Sequence, residues 1–330
     1  GVMKAGLHPE DKRPFRKLSH QNAMAQFGSD KPDNRFGLKL NEVKDVFVGT
    51  EFPIFQNALS LKDGSIKAIV VHEGAHFTRK EVDALTDVAK KNGTKALVAL
   101  KYVNAQLEGS AVKFFSEEQC KSLIELLSLK EQDLVLLTAD RWERAANALG
   151  AVRLALRDKL NLTSKADFSY LWVVDFPLFE YDDENGRYVA KHHPFTRPKV
   201  SSVEELKAHP ELAKAHAYDL VLNGFEIAGG SMRIYDQTMQ RTMFELIGFT
   251  QEQIQERFGF FVDAFKYGTP PHGGIAFGLD RFAMVLTQSD SLRDVIAFPK
   301  NASARCPLTE APSPVELKQL EELHLLIAKE

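Results

Sequence analysis

Alternation of apolar and polar positions divides the first part of the chain into short strands and helices. Helical spacing of apolar residues follows two capping boxes, in residues 78–81 and 116–119. Mostly apolar runs, typical of strands, cover residues 66–71, 95–103 and 132–140. Residues 46–140 are therefore predicted to form a small α+β domain with its own core, and no group of side chains in this block indicates catalysis.

Hairpins dominate the second half of the pattern. Apolar residues at helical spacing over 145–156 predict a long helix, and residues 171–177 form a buried apolar run. Asn-Gly pairs at 185–186 and 223–224 stand between strand-like runs and predict tight turns. Several hairpins together with helices favour an α+β fold with an antiparallel sheet.

Capping residues predict two more helix starts near the end of the chain. Asp280 can cap a helix that begins near Arg281. Ser313 and Pro314 fit the N-cap and the first helical position of a C-terminal helix. In contrast, GSDKPDNRFG at residues 28–37 is dense in turn-forming residues and predicts a loop.

Composition narrows the functional classes. The 330 residues are 44% hydrophobic and 26% charged, with a net charge of −3, so no broad basic field indicates nucleic acid binding. Cys120 and Cys306 are the two cysteines, which argues against a zinc site or a disulfide framework. No apolar run approaches the length of a membrane span, and we expect a cytoplasmic protein with no membrane partner.

The hairpin around Asn223-Gly224 carries the first candidate chemistry. With those two residues in the turn, Val221 faces Glu226, and Asp219 lies on the same face of the sheet as Val221. Asp219 and Glu226 are then diagonal neighbours, with their Cα atoms about 7–8 Å apart. Two carboxylates at this distance suit a magnesium ion that bridges phosphates. The alternative is a pair of solvated strand charges.

Arg233 is the next candidate. It follows Glu226 by seven residues and would point to the opposite face unless a one-residue bulge intervened, which Gly229-Gly230 predicts. On the carboxylate face, an arginine could hold a ligand carboxylate through two parallel hydrogen bonds. The alternative is a surface arginine beside a flexible glycine pair.

Adjacent histidines and a glycine-arginine motif complete the candidates. His192 and His193 should point apart, so either could contact an anionic ligand, or both could be ordinary loop residues. Arg281, in the first turn of a helix, opposes the helix dipole at a cost of about 0.3–1 kcal/mol, which a bound phosphate would reverse. The alternative is an exposed arginine.

Together, GFEIAGGSMRIY, KYGTPPHGGIAFGLDRFAMVL, DVIAFPK and LTEAPSPV closely resemble the bacterial-type aspartyl-tRNA synthetases, a class II family. GSDKPDNRFG and HHPFT match the same family. The resemblance runs over about residues 15–330 in the family's order. Residues 46–140 resemble the inserted GAD-like domain of these enzymes.

The resemblance implies a class II antiparallel sheet flanked by helices that binds ATP, Mg²⁺ and L-aspartate. The family joins aspartate and ATP as aspartyl-adenylate and passes the amino acid to tRNA(Asp), in some members also to tRNA(Asn). The implied ATP-binding residues are Glu226, Gly278, Leu279, Asp280 and Arg281, of which Glu226 and Arg281 are catalytic.

The remaining implied roles concern the metal and the amino acid. Asp219 and Glu226 are the implied Mg²⁺ ligands. Arg233 is implied to bind the side-chain carboxylate of aspartate, with His192 closing over it and His193 assisting.

Parts of the family pattern are not found in these residues. The anticodon-binding barrel, the first class II motif of the dimer interface and the second motif with its α-phosphate arginine have no match. We therefore expect the C-terminal part of a synthetase, nearly inactive alone, whose full-length family forms homodimers. The expected plan is a catalytic segment and linker at 1–45, the insertion at 46–140 and the class II core at 141–330.

Two other functions stay open from the sequence. A shortened paralogue could bind ATP or aspartate for a regulatory or non-tRNA role. A non-catalytic module could use the inserted domain for RNA or protein contacts, although the balanced charge argues against strong RNA affinity.

Overall fold

The computed structural model describes residues 14–164, 167–182 and 184–328. The segment expected at 1–45 begins in residues 1–13, which lie outside these ranges. Packing divides the chain into two units, the first ending at Gly278 and the second beginning at Leu279. Helices and strands are mixed in the first unit, as the predicted α+β class requires.

Twelve strands are described. They are β1 (Arg16–Ser19), β2 (Asn41–Glu42), β3 (Gly64–Val71), β4 (Val98–Val103), β5 (Gln106–Glu108), β6 (Asp133–Arg141), β7 (Tyr170–Val174), β8 (Phe179–Asp182), β9 (Arg187–Ala190), β10 (Ala217–Leu222), β11 (Phe225–Met232) and β12 (Gly273–Phe277).

Ten α-helices are described within the same ranges. They are α1 (His20–Phe27), α2 (Pro53–Leu59), α3 (Arg79–Lys91), α4 (Glu117–Leu127), α5 (Trp142–Lys159), α6 (Val203–Ala208), α7 (Gln237–Leu246), α8 (Gln251–Asp263), α9 (Leu279–Leu286) and α10 (Leu317–Glu322). No helix in this described part is long and apolar enough to cross a bilayer.

The first sheet has the strand order β1-β7-β10-β11-β12. Strands β7, β10, β11 and β12 pair antiparallel, and β1 pairs parallel with β7 at the edge. Val173 and Val221 of this sheet share one buried core with Phe27 of α1 and Phe244 of α7. The predicted antiparallel sheet is confirmed, with one parallel edge strand added.

The second sheet has the order β2-β3-β6-β4-β5, and every pairing in it is antiparallel. Strand β6 is buried on both faces over residues 133–139, which explains why residues 134–137 are all apolar instead of alternating. Phe55 and Leu123 belong to the core of one face, and Leu85 and Leu149 belong to the core of the other. Helix α5 thus packs on the second sheet.

Side-chain caps set several helix boundaries where the sequence predicts them. Thr78 and Ser116 each accept a hydrogen bond from the backbone three residues on, in complete capping boxes with Glu81 and Gln119. Each box satisfies two backbone donors that the first helical turn would otherwise leave without a partner.

Two predicted helix starts are wrong. Helix α9 begins at Leu279, so Asp280 lies in its first turn and does not cap it. A carboxylate at that position still interacts favourably with the helix dipole. Helix α10 begins at Leu317 after an extended Glu316, not after Ser313. Six exposed residues are too few for a cap sequence alone to fix a helix start.

Candidate functional site

The hairpin of β10 and β11 forms with the predicted register. Val221 pairs with Glu226, and the turn residues Asn223 and Gly224 have φ angles of +53° and +91°. Left-handed conformation at both positions is what a two-residue turn of this twist requires. The Asn223 side chain also accepts from Ser169 N at 2.9 Å, which ties the turn to the chain before β7.

The bulge is present, but its predicted position is wrong. The register shifts between Leu220 and Val221 of β10, which leaves Ile227 as the extra residue of β11. Gly229 and Gly230 pair regularly with β10. They are needed for close approach instead, because a Cβ on Gly230 would lie 2.0 Å from the carbonyl oxygen of Gly274.

The displaced bulge has the predicted consequence for Arg233. One extra residue between Glu226 and Gly229 restores the alternation, so that Glu226, Gly229 and Arg233 share the face of Asp219. The sequence therefore predicted the shared face correctly, although it placed the bulge at Gly229-Gly230 instead of at Ile227.

Asp219 and Glu226 approach each other over the bare Cα of Gly229. A methyl group on Gly229 would stand 2.8 Å from Oδ1 of Asp219 and 3.0 Å from Oε1 of Glu226. Burial, followed by the negative charges of Glu226 and Asp30, raises the pKa of Asp219 to about 7. Two carboxylates held this close favour a shared cation.

Lys31 is one cation that the described chain places at this pair. Its Nζ lies 3.5 Å from Oε2 of Glu226, and its charge lowers the pKa of Asp219 in opposition to the burial. No group of three or more His, Cys, Asp or Glu side chains in the described ranges is arranged to hold a metal ion. A divalent cation at Asp219 and Glu226 would thus need ligands from a substrate.

Arg233 is held in an aromatic cage. Its guanidinium carbon lies 4.7 Å from the ring centres of Phe195 and Phe261 and 5.1 Å from that of Phe265. Burial lowers the pKa of Arg233 to about 10, which still leaves the group charged at neutral pH. The rings fix the plane of the guanidinium and exclude water from its faces.

One edge of the Arg233 guanidinium has partners and the other has none. Nη1 donates to the carbonyl oxygen of Ile234 at 2.7 Å and to Oε1 of Gln240 at 2.6 Å. Gln240 is itself fixed, because its Nε2 donates to the carbonyl oxygen of Pro194. Nη2 is buried and has no hydrogen-bond partner. A buried donor without a partner is costly and points to a ligand acceptor.

The two histidines take different positions. The ring of His192 packs edge-on against Phe176, with 5.0 Å between centres. Nε2 of His193 lies 3.4 Å from the hydroxyl of Ser231, a residue on the Arg233 face. Loss of surrounding water, then nearby positive charge, lowers the pKa of both, so both are neutral at pH 7. His193 is the one joined to the site by hydrogen bonding.

The glycine-arginine motif, residues 278–281, spans the sequence boundary between the two units. Gly278, the last residue of the first unit, donates its N–H to the carbonyl oxygen of Ile227 at 2.8 Å. Leu279, Asp280 and Arg281 form the exposed first turn of α9 in the second unit. The first unit by itself brings together Asp219, Glu226, Arg233 and His193.

Some residues of this site were missed by the sequence reasoning. GSDKPDNRFG was matched to the family as a motif, yet no role was assigned to Asp30 or Lys31. The Asp-Lys pair inside a turn-rich motif is the signal that could have found them. Phe261 and Phe265 lie one helical turn apart near the end of α8, whereas Phe195 comes from the chain after β9, so no single local pattern identifies all three rings around Arg233.

Comparisons with known proteins identify the family of the chain. Residues 2–302 match the family model described as tRNA synthetases class II (D, K and N). The chain belongs to this family. It is 48% identical over 330 residues to the aspartate–tRNA(Asp/Asn) ligase of Geobacillus sp. (strain WCH70), and 49% identical over 328 residues to that of Bacillus mycoides (strain KBAB4).

These alignments cover 100% and 99% of this chain and 55% of each relative. The chain spans about half the length of the curated relatives it matches.

Solved structures give weaker matches. An aspartyl-tRNA synthetase from Entamoeba histolytica aligns with a TM-score of 0.34 and 16% identity, over 74% of this chain and 44% of that one. The asparaginyl-tRNA synthetase from Pyrococcus horikoshii aligns with a TM-score of 0.31 and 20% identity, over 41% and 27%. Scores this low add nothing to the family match.

Proposed function

We propose that this chain is the aspartate- and ATP-binding part of an aspartate–tRNA ligase. The reaction would join aspartate to ATP as aspartyl-adenylate and pass the amino acid to tRNA(Asp), or also to tRNA(Asn), as the names of its relatives indicate. The observation that carries the proposal is the buried Nη2 of Arg233 without a partner, on the face of Asp219 and Glu226.

Arg233 is proposed to bind the side-chain carboxylate of aspartate. Its caged guanidinium offers one open donor edge, which fits a planar carboxylate that accepts two parallel hydrogen bonds. A neutral amide would present one acceptor and one donor and would pair less well. His193, beside Ser231, is proposed to hydrogen-bond the same ligand, and His192, packed on Phe176, is proposed to close over it.

Asp219 and Glu226 are proposed to hold Mg²⁺ together with the phosphates of ATP. The raised pKa of Asp219 fits this role, because a cation would offset both the burial and the repulsion that raise it. Mg²⁺, when bound, neutralises phosphate charge during adenylation. The two carboxylates supply only part of its coordination, which accords with a metal that arrives with a nucleotide.

Arg281 is proposed to neutralise the terminal phosphate of ATP, with Gly278, Leu279 and Asp280 lining the same position. Adenylation needs mainly alignment of the two substrates and neutralisation of developing charge, so the chain requires no nucleophile of its own. Homodimer formation and a cytoplasmic site of action belong to the same proposal.

Calorimetric titration of the chain with L-aspartate and with ATP–Mg²⁺ tests this function. Saturable binding of both ligands would support it. Arg233→Ala should lose aspartate binding, and its matched control is Arg197→Ala. Arg197 also stacks on an aromatic ring, that of Tyr235, but has no proposed ligand. Absence of binding of both ligands to the folded wild-type chain would contradict the proposal.

A further inference from the structure

Arg153 of α5 binds the backbone of residues 28–38, here called the loop segment. Its side chain is 1% exposed. Nη2 donates to the carbonyl oxygens of Asp33 (3.0 Å), Phe36 (3.0 Å) and Gly37 (2.8 Å), and Nε donates to that of Leu38 (3.0 Å). One guanidinium thus fixes four carbonyl groups of a segment without regular secondary structure.

The Arg153 guanidinium donates its hydrogen bonds to carbonyl oxygens and not to a carboxylate. The nearest acidic group, the buried carboxylate of Asp33, is bound by Arg35 at 2.8 Å and by Arg157 at 3.1 Å. The Arg153 guanidinium is instead stacked on Phe36, with 3.8 Å from its carbon to the ring centre, and lies 4.9 Å from the ring centre of Phe27. Burying a cation is costly, so a fully buried arginine that binds only backbone carbonyls indicates that the position of the loop segment matters.

The opposite side of the loop segment meets the carboxylate hairpin. Lys31 pairs with Glu226, and the negative charge of Asp30 raises the pKa of Asp219. A Cβ on Gly224, in the hairpin turn, would lie 3.3 Å from Cβ of Asp33. The segment therefore lies between α5 and the candidate site.

Helix α5 is a rigid base for this contact. Its Leu149 and Leu156 are fully buried in the core that includes β3, β6 and α3 of the second sheet. At the start of the segment, Gly28 and Gly150 touch so closely that a Cβ on Gly150 would lie 2.2 Å from the carbonyl oxygen of Gly28.

We propose that Arg153 is a positioning residue for the candidate site: it holds the loop segment so that Asp30 and Lys31 face Asp219 and Glu226. This role rests on the proposed function for its effect on ligand binding. Because α5 packs on the second sheet, that sheet also helps to hold the loop segment against the candidate site. Lysine cannot replace Arg153, because its single nitrogen cannot reach positions served by both Nε and Nη2.

The test compares Arg153→Met and Arg153→Lys with the control Leu156→Ala in the full 330-residue chain. Leu156 lies on the same helix, so its truncation weakens α5 packing without removing a bond to the loop segment. Amide hydrogen exchange is measured for residues 28–38 and for the hairpin, residues 217–232. The dissociation constant for ATP–Mg²⁺ is measured by calorimetry.

Both Arg153 variants should speed exchange in the loop segment at least tenfold, leave the hairpin unchanged and weaken ATP–Mg²⁺ binding at least tenfold. Lysine should not rescue either measurement, and Leu156→Ala should not loosen the segment selectively. Unchanged segment exchange, or equal loosening of the hairpin, would overturn the role of Arg153. A loosened segment with unchanged ATP–Mg²⁺ affinity would also overturn it.

Two further outcomes are distinguishable. If the wild-type chain binds neither L-aspartate nor ATP–Mg²⁺, the proposed function fails, and the exchange comparison still decides whether Arg153 positions the segment. If the Arg153 variants do not fold, Arg157→Gln removes the bond to Asp33, together with that to the neighbouring Asp158, and should give a smaller loosening confined to the same segment. No loosening in that variant would count against the proposal.

Discussion

Gln240 accepts a 2.6 Å hydrogen bond from Nη1 of Arg233, while Nη2 of the same guanidinium is buried without a partner. The stacked rings of Phe195 and Phe261 prevent the side chain from turning toward water. The chain therefore maintains a desolvated donor in a fixed orientation. Such an arrangement costs stability unless a ligand completes it, which makes Arg233 the best-supported binding residue of the site.

Replacing Arg233 should separate the two substrates. We expect Arg233→Ala to weaken aspartate binding by about 2–4 kcal/mol, since two charge-assisted hydrogen bonds are lost, and Arg233→Lys to restore little of it. ATP affinity should stay within about twofold. Calorimetry on both ligands measures the split. Unchanged aspartate affinity with weakened ATP binding would show that the assignment of Arg233 is wrong.

Gly229→Ala should disable the carboxylate pair without unfolding the hairpin. The added methyl group would stand within 3.0 Å of an oxygen of both Asp219 and Glu226, so the side chains must move apart. We expect Mg²⁺-dependent ATP binding to weaken by at least about tenfold, a loss of about 1.4 kcal/mol.

Gly37→Ala is the control for this substitution, because a Cβ there meets nothing within 4 Å. Equal ATP affinity in the two variants would mean that the carboxylates do not need this geometry.

Asp219 should make the folded chain less stable as the pH rises. The folded state keeps the proton up to about pH 7, whereas the unfolded chain releases it near its ordinary value of 3.8. The folded state therefore binds more protons between these values, and the free energy of unfolding falls as the pH rises through this window.

Asp219→Asn removes this dependence and should be more stable than the wild type at pH 8, by about 1–3 kcal/mol, with little difference near pH 4. Urea unfolding at both pH values measures the difference. Asp83→Asn, at an exposed position of α3, is the control. A wild-type profile that matches Asp219→Asn would remove the basis for a strained carboxylate pair.

Gly150→Ala should destabilise the chain although alanine is the better helix former. Helix propensity alone favours alanine by about 1 kcal/mol. The contact with Gly28 should reverse this sign, because the new Cβ would overlap its carbonyl oxygen, and we expect a net loss of about 2–4 kcal/mol. Thermal unfolding decides the sign, and a stabilised variant would exclude the close crossing of α1 and α5.

Local sequence signals predicted much of this fold because they act over a few residues. The capping boxes at Thr78 and Ser116 and the turn at Asn223-Gly224 each depend on neighbours within three or four positions. The register of the hairpin followed from the turn, and so did the approach of Asp219 to Glu226. The family resemblance added the candidate roles, which stay predictions for Asp219, Glu226 and Arg233 as well as for Arg281.

Features that depend on distant packing were not predictable in this way. The bulge falls at Ile227 because Gly229 and Gly230 are required for close contacts across the sheet. The grip of Arg153 on the loop segment joins residues far apart in the chain, and its buried arginine looks like any other helical arginine in the sequence. The domain boundaries at 46–140 also stay a prediction.

The binding of L-aspartate compared with L-asparagine tests the central claim most directly. The two ligands have almost the same shape and differ in the group that Arg233 is proposed to bind. Calorimetry on the wild-type chain should give at least a thirtyfold preference for aspartate, about 2 kcal/mol, that falls to about threefold or less in Arg233→Ala. Equal affinity of the wild-type chain for both ligands would contradict an aspartate site built on Arg233.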